Sequence, residues 1–272
     1  MRQFIVQQSP DSKGLIKVSG KDYRYLRQVL RVKPGDMLAV RLPDGSLINT
    51  TVCTVDENLR NVTLQVCSDA VSEENSLTRG TQAEEIQNSI QNVEYYLFQY
   101  IAKPSKMEQI IRQAVECGVK YIVPVCGEYS QKQNVLAMKS SKKDRIERII
   151  REARQQSGSP VDTQVTEPLT TEEAVKMWKE AVSSLSEGEW RSVVLWERNE
   201  NTKSLKEIFS PAVNVKFSKV ALAVGCEGGI SPDEVSELVS AQFVPVHFPG
   251  NILRCETAAL YGIASVQSAL NQ

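Results

Sequence analysis

Apolar positions in the first 70 residues recur in short alternating stretches. Gln3 to Val6, Leu15 to Val18, Met37 to Leu42, Ser46 to Val55 and Asn61 to Val66 read as half-buried strands. Lys33-Pro-Gly-Asp36 and Pro43-Asp-Gly45 supply tight turns. One segment changes period: Asp22 to Val32 places Tyr23, Leu26, Val29 and Leu30 at helical spacing and leaves Arg24, Arg27 and Arg31 on the polar side. These elements predict a small mixed barrel over residues 1–72. The stretch 73–92 is polar and poor in aromatics, the composition of a linker or exposed insertion.

From Val93 onward the pattern alternates between continuous apolar runs and helical periods. Strands are expected at Val93 to Ala102, Tyr121 to Val125, Val193 to Trp196, Val220 to Val224 and Phe243 to Phe248. Helices are expected at Ser105 to Cys117, closed by Gly118, and at Ser141 to Gln156, closed by Gly158. Two more open at Thr170 and Ser231, each with a glutamate three residues on (Glu173, Glu234) that completes a capping box, and an apolar helix ends the chain. Such alternation predicts an α/β domain over residues 73–272, a parallel sheet with helices on both faces.

Two strand-turn-helix units near the end carry the strongest chemical signal. In the first, Val220 to Val224 runs into Gly225-Cys-Glu-Gly-Gly229, where glycines allow close approach of backbone to a ligand. In the second, the Phe243 strand ends at Pro249-Gly250, and an alanine-rich helix follows Glu256 and Thr257. Two such turns at strand carboxyl ends would line a crevice of the kind that holds ligands in open α/β sheets.

Composition narrows the chemistry. No apolar run approaches the ~20 residues needed to span a bilayer, so a cytoplasmic chain without membrane contact is expected. The six cysteines contain no C-x-x-C pair, which points to reduced, mostly buried thiols and to no metal. A single histidine, His247, stands in an apolar strand; histidine-rich metal sites are excluded by count, and His247 reads as a packing residue. Net charge is −1, yet residues 1–72 carry ten basic against seven acidic side chains, and Lys139 to Arg154 carries seven against three. Both segments could meet phosphate, although a solvated helix face explains the second equally well.

The units G-x-E-G-G-[IL]-S-x-x-E (Gly225 to Glu234) and I-L-R-x-E-T-A (Ile252 to Ala258) resemble the SPOUT class of S-adenosylmethionine-dependent RNA methyltransferases. Lys106-Met107-Glu108, Glu116-x-Gly118-Val119, Glu152-Ala153 and Gln156-x-Gly158 resemble one subfamily, RsmE, which makes N3-methyluridine in 16S ribosomal RNA. The likeness runs nearly end to end, with Val29-Leu30-Arg31 and Pro34-Gly35 similar to its amino-terminal PUA-like RNA-binding barrel. It implies a carboxyl-terminal trefoil knot, a homodimer, S-adenosylmethionine as cofactor, and 16S rRNA or the small ribosomal subunit as partner.

Carried onto this chain, the resemblance assigns the cofactor to three loops. They are Leu195, Trp196 and Glu197; Val224, Gly225, Cys226, Glu227 and Gly228; and Phe248, Pro249, Gly250, Ile252 and Leu253 with Thr257 and Ala258. Methylating uridine N3 requires that its proton leave and that charge spreading onto O2 and O4 be stabilised, roles for a carboxylate and an arginine. Arg254 and Glu256 are the candidates, with Glu227 in reserve; RNA contacts are expected from Arg24, Arg27, Arg31, Lys106, Arg151 and Arg154. The chain departs from the subfamily at Gln113, Tyr129, Gln155, Ser159, Asn251 and Cys255, mostly by loss of charge. Those losses leave open a noncatalytic RNA-binding or ribosome-assembly factor as the alternative. A third reading, an unrelated nucleotide-binding domain, lacks the G-x-G-x-x-G turn it would need.

Overall fold

A computed structural model describes residues 3–67, 93–140, 143–209 and 217–270. The chain divides into two compact units, one of residues 1–80 with 154–160, the other of residues 81–153 with 161–272. The polar stretch read as a linker or insertion lies outside the described residues.

In the first unit five strands, β1 (Phe4–Ile5), β2 (Leu15–Ser19), β3 (Met37–Arg41), β4 (Leu47–Asp56) and β5 (Asn61–Val66), form one sheet in the order β1-β3-β4-β5-β2. Only β1 and β3 run parallel. Alternation works as expected: in β2, Ile16 and Val18 are buried while Lys17 and Ser19 are exposed. Alternation from buried Thr50 and Val52 puts Cys53 outward, so this thiol is exposed rather than buried, and the register shift between Val52 and Thr54 leaves Thr54 exposed as well.

The helical segment differs in form from the expected Asp22 to Val32 helix. An α-helical turn, α1 (Gly20–Arg24), passes directly into a π-helical stretch, Tyr25–Leu30, and Arg31 ends it in the left-handed region at φ 54°. Wider winding brings Leu26 fully into the core and turns Arg27 inward. The Arg27 guanidinium donates to the Val32 carbonyl at 2.9 Å and to Glu57 at 2.8 Å. Arg24 and Arg31 are exposed.

The second unit is a seven-stranded, wholly parallel sheet. Its strands are β6 (Glu94–Tyr100), β7 (Tyr121–Cys126), β8 (Gln164–Val165), β9 (Leu169–Thr170), β10 (Trp190–Leu195), β11 (Lys219–Val224) and β12 (Phe243–Val246). Their order is β12-β10-β11-β6-β7-β8, with β9 also on β7. Central β6 and β11 are buried almost throughout, as strands covered on both faces must be.

Among the described residues after 93 the helices are α2 (Pro104–Glu116), α3 (Lys132–Lys139), α4 (Lys143–Ser157), α5 (Thr171–Val182), α6 (Leu205–Phe209), α7 (Pro232–Ser240) and α8 (Cys255–Leu270), the last turn of α4 belonging to the first unit. Both capping boxes form, at Thr170 with Glu173 and at Ser231 with Glu234. Trp178 of α5 is fully buried and meets Tyr96, Phe98, Trp190 and Phe243 edge-on, locking α5 to the sheet. In α4 the expected apolar stripe holds: Ile149 and Ala153 are buried, and Ile146 and Ile150 are half-buried.

Candidate functional site

The two glycine-containing turns follow β11 and β12, but β10 lies between those strands, so a third loop completes the crevice. Chain order conceals this, because β10 precedes both. A cavity of about 270 Å³ opens at the carboxyl ends of the three strands. That is close to the lower end of the ~300–1,000 Å³ typical of ligand sites.

Each loop contributes a wall. From β10 come Leu195, Trp196 and Glu197; from β11 come Val224, Gly225, Cys226, Glu227, Gly228 and Gly229. The β12 side supplies Val246, His247, Phe248, Gly250, Asn251, Ile252 and Leu253, and α8 adds Cys255 and Ala258. Pro249 and Thr257 are exposed and do not line it. Gly229 and Asn251, within the turns expected to approach a ligand, line it too, and so do Val246, His247 and Cys255, which were not expected to. His247 had read as packing because its strand is apolar. Strand β12 ends at Val246, which frees the imidazole to face the cavity with Nδ1 3.3 Å from the Trp196 carbonyl.

The turn after β11 leaves no room for a side chain at Gly225 or Gly228. A Cβ on Gly225 would lie 2.7 Å from the Gly229 carbonyl carbon, and one on Gly228 would lie 2.9 Å from Tyr129 Cβ. Gly229 N–H closes the turn on the Cys226 carbonyl at 3.0 Å. From β6, the buried Gln99 amide donates to the carbonyls of Val224, at 3.3 Å, and Gly225, at 3.1 Å, fixing where the strand ends.

Two carboxylates, Glu197 and Glu227, line the cavity, and the Trp196 indole Nε1 is buried with no acceptor among the described residues. The walls therefore favour a ligand with positive charge and a hydrogen-bond acceptor. Among the described residues no group of three or more potential ligands could hold a metal ion, and no helix is long and apolar enough to cross a membrane.

Around the start of α8 the candidate catalytic groups separate. Glu256 accepts from Lys106 Nζ at 2.8 Å, with both side chains largely buried, and from the Cys255 thiol at 3.3 Å. The hydrogen bond from the Lys106 ammonium holds the Glu256 carboxyl down at about 2. Burial, followed by the bond to Glu256, pushes the Cys255 thiol up to about 12, so it stays protonated beside the cavity. Arg254 is exposed and has no ion pair among the described residues. Glu227 is exposed, and among the described residues it accepts only the Lys103 N–H, at 3.2 Å.

The Glu256 pair has a testable pH signature. A carboxyl depressed from 4.5 to about 2 adds stability that is complete above the unfolded value and is lost as pH falls through the folded one. Glu256→Gln is therefore expected to lower Tm most near neutral pH, with the difference shrinking below about 4.5 and gone by about 2. Calorimetric scans across that range test this; a difference independent of pH would show that the charge contributes nothing.

The six residues expected to meet RNA are not equivalent. Arg24 and Arg31 face solvent, Arg27 is tied to Glu57, and Lys106 is held by Glu256. Arg151 and Arg154 are half-buried, and Arg154 donates to the Pro160 carbonyl at 3.4 Å. Among the family departures, Gln155 and Ser159 are buried, and their backbone carbonyls accept from Gln3. Gln113 is half-buried, Tyr129 is exposed, and Asn251 and Cys255 reach the cavity.

A parallel sheet with a small-molecule cavity at the carboxyl ends of three adjacent strands defines an α/β protein built to hold an organic ligand in its terminal loops. A family model described as an RNA methyltransferase domain matches residues 89–267, and the chain belongs to that family. It is 24% identical over 266 residues to "Ribosomal RNA small subunit methyltransferase E" of Buchnera aphidicola subsp. Schizaphis graminum, covering 93% of this chain and 90% of the relative. With the Synechocystis protein of the same name, identity is 27% over 248 residues, 90% of this chain and 70% of the other. A Neisseria gonorrhoeae ribosomal RNA small subunit methyltransferase E, solved bound to S-adenosyl methionine, has the same fold. The TM-score is 0.71 at 19% identity, over 98% of this chain and 97% of that one.

Proposed function

We infer that the chain is an S-adenosylmethionine-dependent methyltransferase acting on N3 of a uridine in 16S ribosomal RNA. The observation that carries this reading is the three-loop cavity, walled by backbone glycines and two carboxylates, in a chain of the RNA methyltransferase family. S-adenosylmethionine supplies an electrophilic methyl group on a positively charged sulfonium. Glu197 and Glu227 suit that charge, and the Trp196 N–H suits an acceptor on the ligand. The close-packed Gly225 turn suits a ligand held by backbone groups.

Positioning the target nitrogen and easing its proton loss fall to side chains at the cavity mouth. Glu256, already committed to Lys106, is a poor base, so the proton goes to Glu227; Arg254 stabilises charge that spreads onto the uracil oxygens. Lys106 and Glu256 then act as a pair that fixes the start of α8.

The finer architecture follows from the same reading. The chain leaves β12 at the sheet edge, and α8 returns so that Gly262 lies against Leu195 of β10 and Leu222 of β11. That course supports a trefoil knot. Ile252 is 86% exposed, and Leu260 and Tyr261 also face solvent, which supports a homodimer joined beside the cavity. Light scattering that gave the mass of one chain would remove the dimer.

Residues 1–72 act as a PUA-like RNA-binding domain and 73–272 as the methyltransferase domain, working on the small subunit in the cytoplasm. Reversing Arg24 and Arg31 to glutamate should weaken RNA binding and flatten its salt dependence, since each phosphate contact releases counterions. Cofactor affinity should not change. RNA titrations at several salt concentrations check this, and an unchanged salt slope would deny the domain that role.

Function itself is tested by mass spectrometry of 16S rRNA from a strain lacking the gene, together with methyl transfer to its small subunits by the purified chain. Loss of one N3-methyluridine and its restoration in vitro are expected. Intact methylation in the deletion strain would refute the assignment.

A further inference from the structure

An enzyme that modifies a base in structured RNA must take that base out of its stack and hold it, commonly against a flat side chain. Tyr129 has the properties of such a surface. It lies in the turn of residues 127–130 that follows β7, outside the cavity wall but in contact with it.

That turn is held firmly. Glu128 N–H donates to Glu234 Oε1 at 3.0 Å, tying the turn to the capping box of α7. Ser130 is buried and closes the turn through its N–H to the Gly127 carbonyl at 3.0 Å. Gly127 packs so closely on the Tyr100 ring that no side chain would fit there. Gly228, a residue of the cavity wall, approaches Tyr129 so nearly that a Cβ would come within 2.9 Å of Tyr129 Cβ. The backbone beneath Tyr129 is thus fixed relative to the cavity.

The ring itself is unspent. Tyr129 is 44% exposed, and among the described residues it has no hydrogen bond or ring partner. An exposed aromatic on a rigid turn, a residue away from Glu227 across Gly228, costs hydration without adding to the core. We propose that Tyr129 is a substrate-positioning residue, the platform on which the target base stacks when it is brought to the cavity mouth. The proposal rests on the methyltransferase reading of that cavity.

The test compares the full-length parent chain with Tyr129→Ala and Tyr129→Phe. Small ribosomal subunits from a deletion strain serve as substrate, and S-adenosylmethionine affinity is measured separately by calorimetry. Tyr129→Ala is expected to raise KM for subunits roughly tenfold or more, the usual loss for one base–aromatic stack, with cofactor affinity unchanged. Tyr129→Phe should behave like the parent, since it keeps the ring.

Three outcomes overturn the role. Unchanged kcat/KM in Tyr129→Ala shows that the ring touches nothing; equal damage in Tyr129→Phe assigns the effect to the hydroxyl; a matching loss of cofactor affinity makes Tyr129 only a prop for the Gly228 turn. A parent chain that fails to methylate subunits refutes the proposed function first, and the stacking role falls with it.

Discussion

Gly225→Val is expected to lower affinity for S-adenosylmethionine by ~100-fold or more while the protein stays folded. The new Cβ would lie 2.7 Å from the Gly229 carbonyl carbon and 2.8 Å from its Cα. Both are backbone atoms, which cannot rotate away as a side chain can, so the turn itself must open. Its closure, from Gly229 N–H to the Cys226 carbonyl, would break, and the wall formed by residues 225–229 would move. Overpacking of this kind typically costs ~1–3 kcal/mol locally. Strand β11 keeps its pairing to both β6 and β10, so the sheet should survive. Gly228→Val should act in the same direction, because Tyr129 Cβ, 2.9 Å from the new Cβ, is fixed by the backbone of its turn and cannot rotate away. Calorimetric titration with the ligand, beside a thermal melt, measures both effects. Near-normal affinity in Gly225→Val would mean that the turn does not hold the cofactor.

Arg254→Ala should leave cofactor affinity intact and reduce kcat by about 10²–10³-fold, the usual cost of removing a group that stabilises charge in the transition state. Arg254 immediately precedes α8, where a cation opposes the helix dipole at a cost of ~0.3–1 kcal/mol. It gains no ion pair there among the described residues. A residue kept only for stability would not be placed so, and alanine should hold or slightly raise Tm. Single-turnover methyl transfer to small subunits gives the rate. Unchanged turnover would return the charge-stabilising role to another residue.

Much of this architecture can be read from one dimension, and the physical reasons are specific. Buried parallel strands need continuous apolar runs, so Val220 to Val224 was legible as a strand before any packing was known. Capping boxes are satisfied within four residues, which is why Ser231 with Glu234 and Thr170 with Glu173 form as spaced. Glycines at the end of β11 announced a close-packed turn for the same local reason. Short elements escaped: α3, α6, β8 and β9 carry too few residues for a period to emerge.

What the tertiary structure alone decided concerns groups far apart in the chain. Lys106 and Glu256 are separated by 150 residues, yet their 2.8 Å contact changes Glu256 from a candidate base into half of an ion pair. His247 became a wall of the cavity because β12 stops one residue before it, and Arg27 became structural because a π-helical stretch turned it toward Glu57. Tyr129 gained its place beside the cavity only through Gly228, about a hundred residues later in the chain. Sequence pattern reports the local preferences of backbone and burial. A side chain's charge state and accessibility depend on neighbours brought by the fold, so the candidate site's chemistry could be assigned only in three dimensions.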